Sequence, residues 1–324
     1  MKLKTTKLTT NMKKIIATTT INPPTKALID YTKLNDWHVV VAGDLKTNHD
    51  LYKNIDNLTY LTPKQQQEQY PNLSELIGWN CIERRNLAII HAYDMGADAI
   101  ALIDDDNVPY QDWGQDLCIN KEIEVTKYIT KDIAFDPIGS MEEHKELWHR
   151  GFPLERIPFR EYDVKEKSII YPKVQVLFWD GDPDVDAICR MIYNPKCKFN
   201  PNNFPFTSSK PAPFNSQNII LSRDVIIDYF LFPETERMQD IWAAYYLQSK
   251  GHQIVFTKPA VYSDRAMGSL GRYSVINDMK KEYLGMENNL NLLQDLNENS
   301  ENIKNYISEK SWDSFMEWRK LLKK

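Results

Sequence analysis

The sequence predicts an α/β fold. Between residues 14 and 103, strand-like apolar runs alternate with helical stretches, and one of these runs, "ADAIALI", leads straight into three consecutive acids, Asp104, Asp105 and Asp106. Strands joined through helices in this way pair in parallel, and ligands collect outside their carboxyl ends. No Gly-rich phosphate loop follows the first strand, where "TTTINPPTK" stands, which argues against a standard dinucleotide fold or a P-loop.

"KKIIATTTI" reads as a β-branched strand, and "NPPTKALIDYTKL" as a turn entering a helix whose start is set by Pro24 and Thr25. "WHVVVAGD" is a second buried strand ending at Gly43 and Asp44, and "LTYLT" a short third one. Leu76, Ile77, Cys81, Leu87, Ala88 and His91 recur near helical spacing, which predicts one long helix over "LSELIGWNCIERRNLAIIHAYDMG", stopped at Gly96. The strand "ADAIALI" follows and delivers its acids into the ligand crevice.

Residues 110–215 are proline-rich and read as a loop-rich segment covering a site. Order returns with "NIILSRDVII" and with a helix then a strand over "DIWAAYYLQSKGHQIVFTKPAVY". Three divisions follow: a flexible N-terminus at 1–13, one domain at 14–272, and a C-terminal helical extension at 273–324. The extension is expected to be a peripheral cap or an assembly surface for a homo-oligomer.

A chain of 324 residues with 42% hydrophobic residues can bury a sizeable core. Its net charge of -5 gives no global basic field, so general nucleic-acid binding is disfavoured. Cys81, Cys118, Cys189 and Cys197 have neither zinc-type spacing nor the density of a disulfide scaffold, and read as reduced thiols. No run approaches the roughly 18 apolar residues of a membrane span, and "IIA" near the start is too short for a signal peptide, so a cytoplasmic location is expected.

Adjacent carboxylates repel and raise one another's pKa unless a cation neutralises them, so the acidic triplet points to a divalent metal, Mg2+ or Mn2+. In extended backbone Asp104 and Asp106 share a face, and Asp105 points away or toward a sugar. The alternative is a solvated acidic turn aided by Asn107 and Pro109. Arg84 and Arg85, on the preceding helix, are either bidentate phosphate ligands or part of a solvated face.

The stretch "ERRNLAIIHAYDMGADAIALIDDDNVP", followed by "RGFPLE", "DGDPDVDAICR" and "NSQNIILSRDV" with "RMQDIWAAYYLQ", resembles the STELLO-type glycosyltransferases over roughly residues 14–265. More distantly it resembles the reversibly glycosylated polypeptides, which act as UDP-arabinopyranose mutases. Both resemblances imply a GT-A fold, a Rossmann-like mixed sheet flanked by helices, with a nucleotide-sugar donor and a divalent cation. They also imply roles. Asp104 and Asp106 match the metal and diphosphate acids, and Asp105 a ligand of the donor ribose or sugar. Asp44 matches either a base-recognition position or a turn acid. Arg84, Arg85 and Asn86 match donor contacts. Asp240 matches an acid near the acceptor, where it is either the catalytic base or an N-cap.

Arg150 lies in "RGFP", which corresponds to a mutase segment whose arginine is glycosylated; guanidinium is a poor nucleophile, so a phosphate or sugar ligand is the favoured role. The acids of "DGDPDVDAICR" either cap a turn and helix or bind sugar hydroxyls. One departure stands out: the related families place a His near the final strand, and here "AVYSDRAMGS" offers Asp264 as the replacement oxygen ligand. The resemblance thus implies a metal-dependent transferase moving a sugar from a nucleoside diphosphate, with UDP expected, to a glycan or other hydroxyl acceptor. A UDP-sugar mutase and a non-catalytic scaffold of the same fold are the alternatives.

Overall fold

The computed structural model describes residues 12–264 and 274–323. The expected flexible segment at 1–13 falls almost wholly outside these residues, as does the expected domain boundary at 272/273.

Eleven strands among the described residues form one mixed sheet. β1 (Lys14–Thr20) is central to a parallel group, pairing with β2 (Trp37–Gly43) on one side and β4 (Ala99–Ile103) on the other, with β3 (Leu58–Leu61) outside β2. β10 (Asn218–Ser222) runs antiparallel to β4 and to β8 (Val174–Gly181). β11 (Ile254–Ser263) lies parallel to β8, and its far end pairs antiparallel with β5 (Asn107–Pro109). β9 (Phe206–Ser208), β6 (Ile123–Tyr128) and β7 (Lys165–Ile170) complete the other edge.

The three strands at this edge correct the expectation of a loop-rich middle. β6 and β7, "IEVTKY" and "KEKSII", pair antiparallel and are largely exposed on one face. Their lysines and glutamates suit a sheet edge but mask strand character in the sequence.

Helices cover the sheet: α1 (Lys26–Thr32), α2 (Pro63–Gln69), α3 (Pro71–Ile77), α4 (Arg85–Asp94), α5 (Ala187–Tyr193), α6 (Gln239–Ser249), α7 (Val275–Glu298) and α8 (Glu309–Leu322). Thr25 caps α1 as expected, its hydroxyl accepting from the Leu28 N–H. The single long helix predicted across residues 73–96 is instead two. α3 ends at Gly78, whose φ of 80° is left-handed, Asn80 is left-handed as well, and α4 starts only at Arg85 after a 3-10 turn over Ile82–Arg84. That break places the N-terminus of α4 over the carboxyl ends of β1, β2 and β4.

The C-terminal helices pack onto the main core. Leu292, Leu293, Leu296, Phe315, Trp318 and Leu322 belong to the same hydrophobic core as β1 and β4. α7 also approaches the turn before α6 so closely that a Cβ on Gly285 would lie 2.1 Å from the Met238 sulfur. No helix among the described residues is long and apolar enough to cross a membrane.

Candidate active site

Every side chain of β4, "AIALI", is fully buried, and burying each Leu or Ile contributes roughly 1.5–3 kcal/mol. The strand is therefore fixed in register, and the acids that follow it emerge at a defined point. Because β10 is antiparallel, Asn218 pairs with Ile103 and the segment Asn215–Gln217 arrives beside the acids; the Asp104 N–H donates to the Gln217 carbonyl at 3.1 Å. This is how two blocks more than a hundred residues apart meet.

The three acids have separate surroundings. Asp104 accepts from Arg85 Nη2 at 2.5 Å, and its side chain keeps 37% of its exposure. Asp105 turns the other way, toward the end of β1, where its Oδ2 accepts from Thr20 at 2.5 Å and from Asn22 at 3.2 Å, while the Thr25 hydroxyl donates to its carbonyl. Burial raises the Asp105 pKa, the Thr20 and Asn22 hydrogen bonds oppose that rise, and the Asp104 charge adds to it. Asp105 thus diverges from Asp104, but through a turn and not through the alternation expected of extended backbone: the chain turns at 105–106, with the Asn107 N–H donating to the Asp104 carbonyl at 3.4 Å.

Asp264 follows Ser263, which pairs with Asn107 in the antiparallel ladder of β11 and β5. Continued by one residue, that register sets Asp264 across from Asp106, with Lys196 Nζ 3.6 Å from the Asp264 carboxylate. The buried Tyr31 phenol, whose hydroxyl has no hydrogen-bond partner, is held well above its usual pKa by burial and then by the charges of Asp104 and Asp106.

No group of three or more His, Cys, Asp or Glu side chains among the described residues forms a ready-made cation cage. Mg2+ and Mn2+ in nucleotide chemistry take one or two protein carboxylates, phosphate oxygens and water. Asp104 and Asp106, at and after the end of β4, and Asp264, after β11, are all hard oxygen donors, but they are not gathered into one such group.

Arg84 and Arg85 are adjacent and do opposite things. Arg84 turns into the protein, donating to Gln66, to the Ser74 hydroxyl and carbonyl and to the Gly78 carbonyl, with Trp79 stacked 3.7 Å from its guanidinium carbon. Burial lowers its pKa to about 10. The expectation of a phosphate ligand fails for Arg84 because its donors are spent inside the fold. Arg85 instead faces the crevice, joining Asp104 to the Ser216 carbonyl and hydroxyl at 2.9 and 2.7 Å. Asn86 is also internal: its side-chain amide pairs with both backbone groups of Leu231 and does not reach the crevice. Asp44 sits at the end of β2, accepting from the Leu45 and Cys81 N–H groups, and so ties the loop before α4 to the sheet. This is the turn-acid role.

Behind Ser216 lies a buried ionic group. Arg150, 5% exposed, donates to Asp184 at 2.8 to 3.1 Å, to Asp240 at 3.1 and 3.2 Å, and to the Arg237 carbonyl. Burial works to lower its pKa, but the Asp184 and Asp240 carboxylates outweigh it and hold it well above the usual value. Asp240 accepts from Arg150 on both oxygens, from the Ser216 N–H at 3.0 Å and hydroxyl at 3.4 Å, and from the Ile241 N–H at 2.9 Å. Five donors occupy its roughly four lone-pair sites, leaving none for an acceptor's proton. Nor is it the N-cap, which is Met238; Asp240 lies within the first turn of α6. In "DGDPDVDAICR" the capping role falls to Asp186, which accepts from the Cys189 N–H at the start of α5, while Asp182 binds Arg190 and Lys196.

No protein-family model matches the chain. No curated protein matches it either. Among solved structures, it is similar to two of glucosyl-3-phosphoglycerate synthase from Mycobacterium tuberculosis. One is in complex with phosphoglyceric acid, at 10% identity and a TM-score of 0.39, and the other with Mg2+ and uridine diphosphate, at 9% identity and a TM-score of 0.38. Each similarity covers 86% of this chain and 80% of the other. At that identity and superposition the likeness decides nothing about this chain's fold or chemistry.

The geometry also brings in residues that sequence patterns do not single out. Thr20 and Asn22 orient Asp105, Ser216 bridges Arg85 to Asp240, and Asn215 donates to Asp184 at 2.8 Å. A cluster of Thr and Asn after a first strand, facing an acidic triplet, is the signal that points to the first two.

Proposed function

We propose that this protein is a metal-dependent glycosyltransferase that moves a sugar from a nucleoside-diphosphate sugar, a UDP-sugar in the first instance, to a hydroxyl acceptor. What supports the reading is the Arg85–Asp104 ion pair at the carboxyl end of β4, with Asp106 in the turn that follows and Asp264 one residue past the Ser263–Asn107 pair at the end of β11. A carboxylate set open to the crevice and a guanidinium within its reach form the complement of a cation-bound diphosphate.

Asp104, Asp106 and Asp264 would hold a Mg2+ or Mn2+ ion, which when bound neutralises the diphosphate and stabilises charge on the departing nucleoside diphosphate. Arg85 is positioned to bind phosphate oxygen while Ser216 keeps its other nitrogen in place. Asp105, oriented by Thr20 and Asn22, faces the donor ribose or sugar. Asp44 and Arg84 shape the loop over β2, and Asn86 and Arg150 fix elements around the site.

The mutase reading that routes through a glycosylated Arg150 is disfavoured by the two carboxylates that enclose its guanidinium. Calorimetric titration of UDP and GDP with Mn2+ or Mg2+ tests the proposal. Metal-dependent UDP binding that is lost in Asp106→Ala and weakened in Asp264→Ala supports it; metal-independent binding unchanged in Asp106→Ala overturns the cation assignment. Release of UDP from a UDP-sugar in the presence of an acceptor tests the transfer.

A further inference from the structure

Resting on the transferase reading above, we propose that Glu83 is the catalytic base that takes the proton of the acceptor hydroxyl. Glu83 lies on the 3-10 turn over Ile82–Arg84, pinned on both sides at the crevice. The Cys81 N–H before it is held by Asp44 at the end of β2, and Arg85 after it is held by Asp104 at the end of β4.

The side chain is unusual for a buried carboxylate. Glu83 is 6% exposed, yet among the described residues no Lys, Arg or His forms an ion pair with it, and the neighbouring Cys81 thiol donates to the Ile77 and Gly78 carbonyls. The charges that face it are the Glu236 and Asp240 carboxylates. Buried acids are ordinarily paired, and one left without a cation on a turn tied to the carboxyl ends of β2 and β4 is a candidate for chemistry. Burial raises its pKa, with the two neighbouring carboxylates adding to the rise, which makes it a stronger base than an exposed glutamate. Asp240 differs on each count, since Arg150 and Ser216 occupy its lone pairs.

The step balances without a further reactant. As the acceptor oxygen bonds to the anomeric carbon, its proton passes to the Glu83 carboxylate. The bond from that carbon to the diphosphate oxygen breaks, and its electron pair leaves on the nucleoside diphosphate.

Water serves as the acceptor in the test, because any donor sugar that binds can then be followed by UDP release. A panel of UDP-sugars with Mn2+ is screened on the wild-type chain, and UDP binding is measured by calorimetry in every variant. Glu83→Gln is expected to bind UDP like the wild type and to release it about 100-fold more slowly or worse. Glu83→Ala supplied with sodium azide is expected to recover turnover and yield a glycosyl azide, because azide brings no proton to remove; a merely structural glutamate would not respond in this way. A Glu83→Gln variant with wild-type turnover overturns the assignment, as does a UDP-binding Glu83→Ala variant that azide leaves inert. Where Glu83→Ala does not fold, the shape-conserving Glu83→Gln decides the matter alone. A wild-type chain that binds no nucleoside diphosphate brings down the transferase reading and the base with it, an outcome distinct from an active wild type matched by its Glu83→Gln variant.

Discussion

Arg85 and Asp104 form an ion pair of 2.5 Å in which the guanidinium is 1% exposed and the carboxylate 37%. The cation is held from behind by Ser216, so the pair is an anchored donor presented to an open acid. A ligand that takes over Asp104 would leave Arg85 in place with one nitrogen ready for a new anion.

Arg85→Lys and Arg85→Ala separate these roles. Lysine has one point charge and cannot span Asp104 and Ser216 together. UDP affinity with Mn2+ is expected to fall about tenfold in Arg85→Lys and further in Arg85→Ala, in line with loss of a charge-assisted hydrogen bond. Because Asp104 remains partly solvated, stability should fall by only about 2 kcal/mol in Arg85→Ala, less than for a fully enclosed pair. Calorimetry and urea denaturation measure the two effects.

Arg150 is enclosed, and its removal should cost more. Arg150→Ala leaves Asp240 buried without the Arg150 guanidinium and removes the 2.8 Å ion pair of Asp184, and a loss of about 3–5 kcal/mol is expected. Intact-mass analysis after incubation with a UDP-sugar is expected to show no sugar adduct on the wild-type chain. An adduct mapped to Arg150 would revive the mutase reading.

These residues show what sequence can and cannot convey. β4 was legible because a short, uniformly apolar run ending in acids has few uses other than a buried strand beside a site. Arg84 and Arg85 were not separable, because which of two neighbours faces the crevice depends on the break at Gly78 and on where the 3-10 turn ends. Ser216 gained its role only when β10 reversed direction against β4, a long-range pairing that no local pattern announces. β6 and β7 escaped notice for a further reason: edge strands carry the charges that blunt edges, and those charges resemble loop sequence.

Asp186 predicts a pH dependence with a definite sign. Burial raises its pKa to about 6, well above the usual aspartate range, while the Cys189 N–H and the Trp148 indole oppose the rise and the Glu282 charge adds to it. A raised carboxyl favours folding in its neutral form. Its contribution is fully present below the unfolded pKa and is lost as pH rises through the folded value, a span of about 2–3 kcal/mol. Asp186→Asn cannot ionise. Wild-type stability should therefore decline relative to that variant as pH rises from about 4 to 7, as measured by urea denaturation across the range.

Glu282 tests whether the C-terminal helix α7 is part of the site's support. Its Oε1 accepts from Arg237 Nε at 2.7 Å and its Oε2 from the Ala187 N–H at 2.7 Å, so one buried carboxylate joins α7 to the starts of α5 and α6. Arg237 in turn lends its carbonyl to Arg150, which grips Asp240. Glu282→Ala strands a buried N–H and an arginine together, and a loss of about 2–3 kcal/mol is expected. If α7 only covers the surface, hydrogen exchange should rise within α7 alone. If it supports the ionic group, exchange should also rise at Ala187 and across Met238–Ile241, and UDP affinity should weaken although Glu282 touches no proposed ligand. The second outcome is expected, because Glu282, Arg237, Arg150 and Asp240 are joined in series by direct hydrogen bonds.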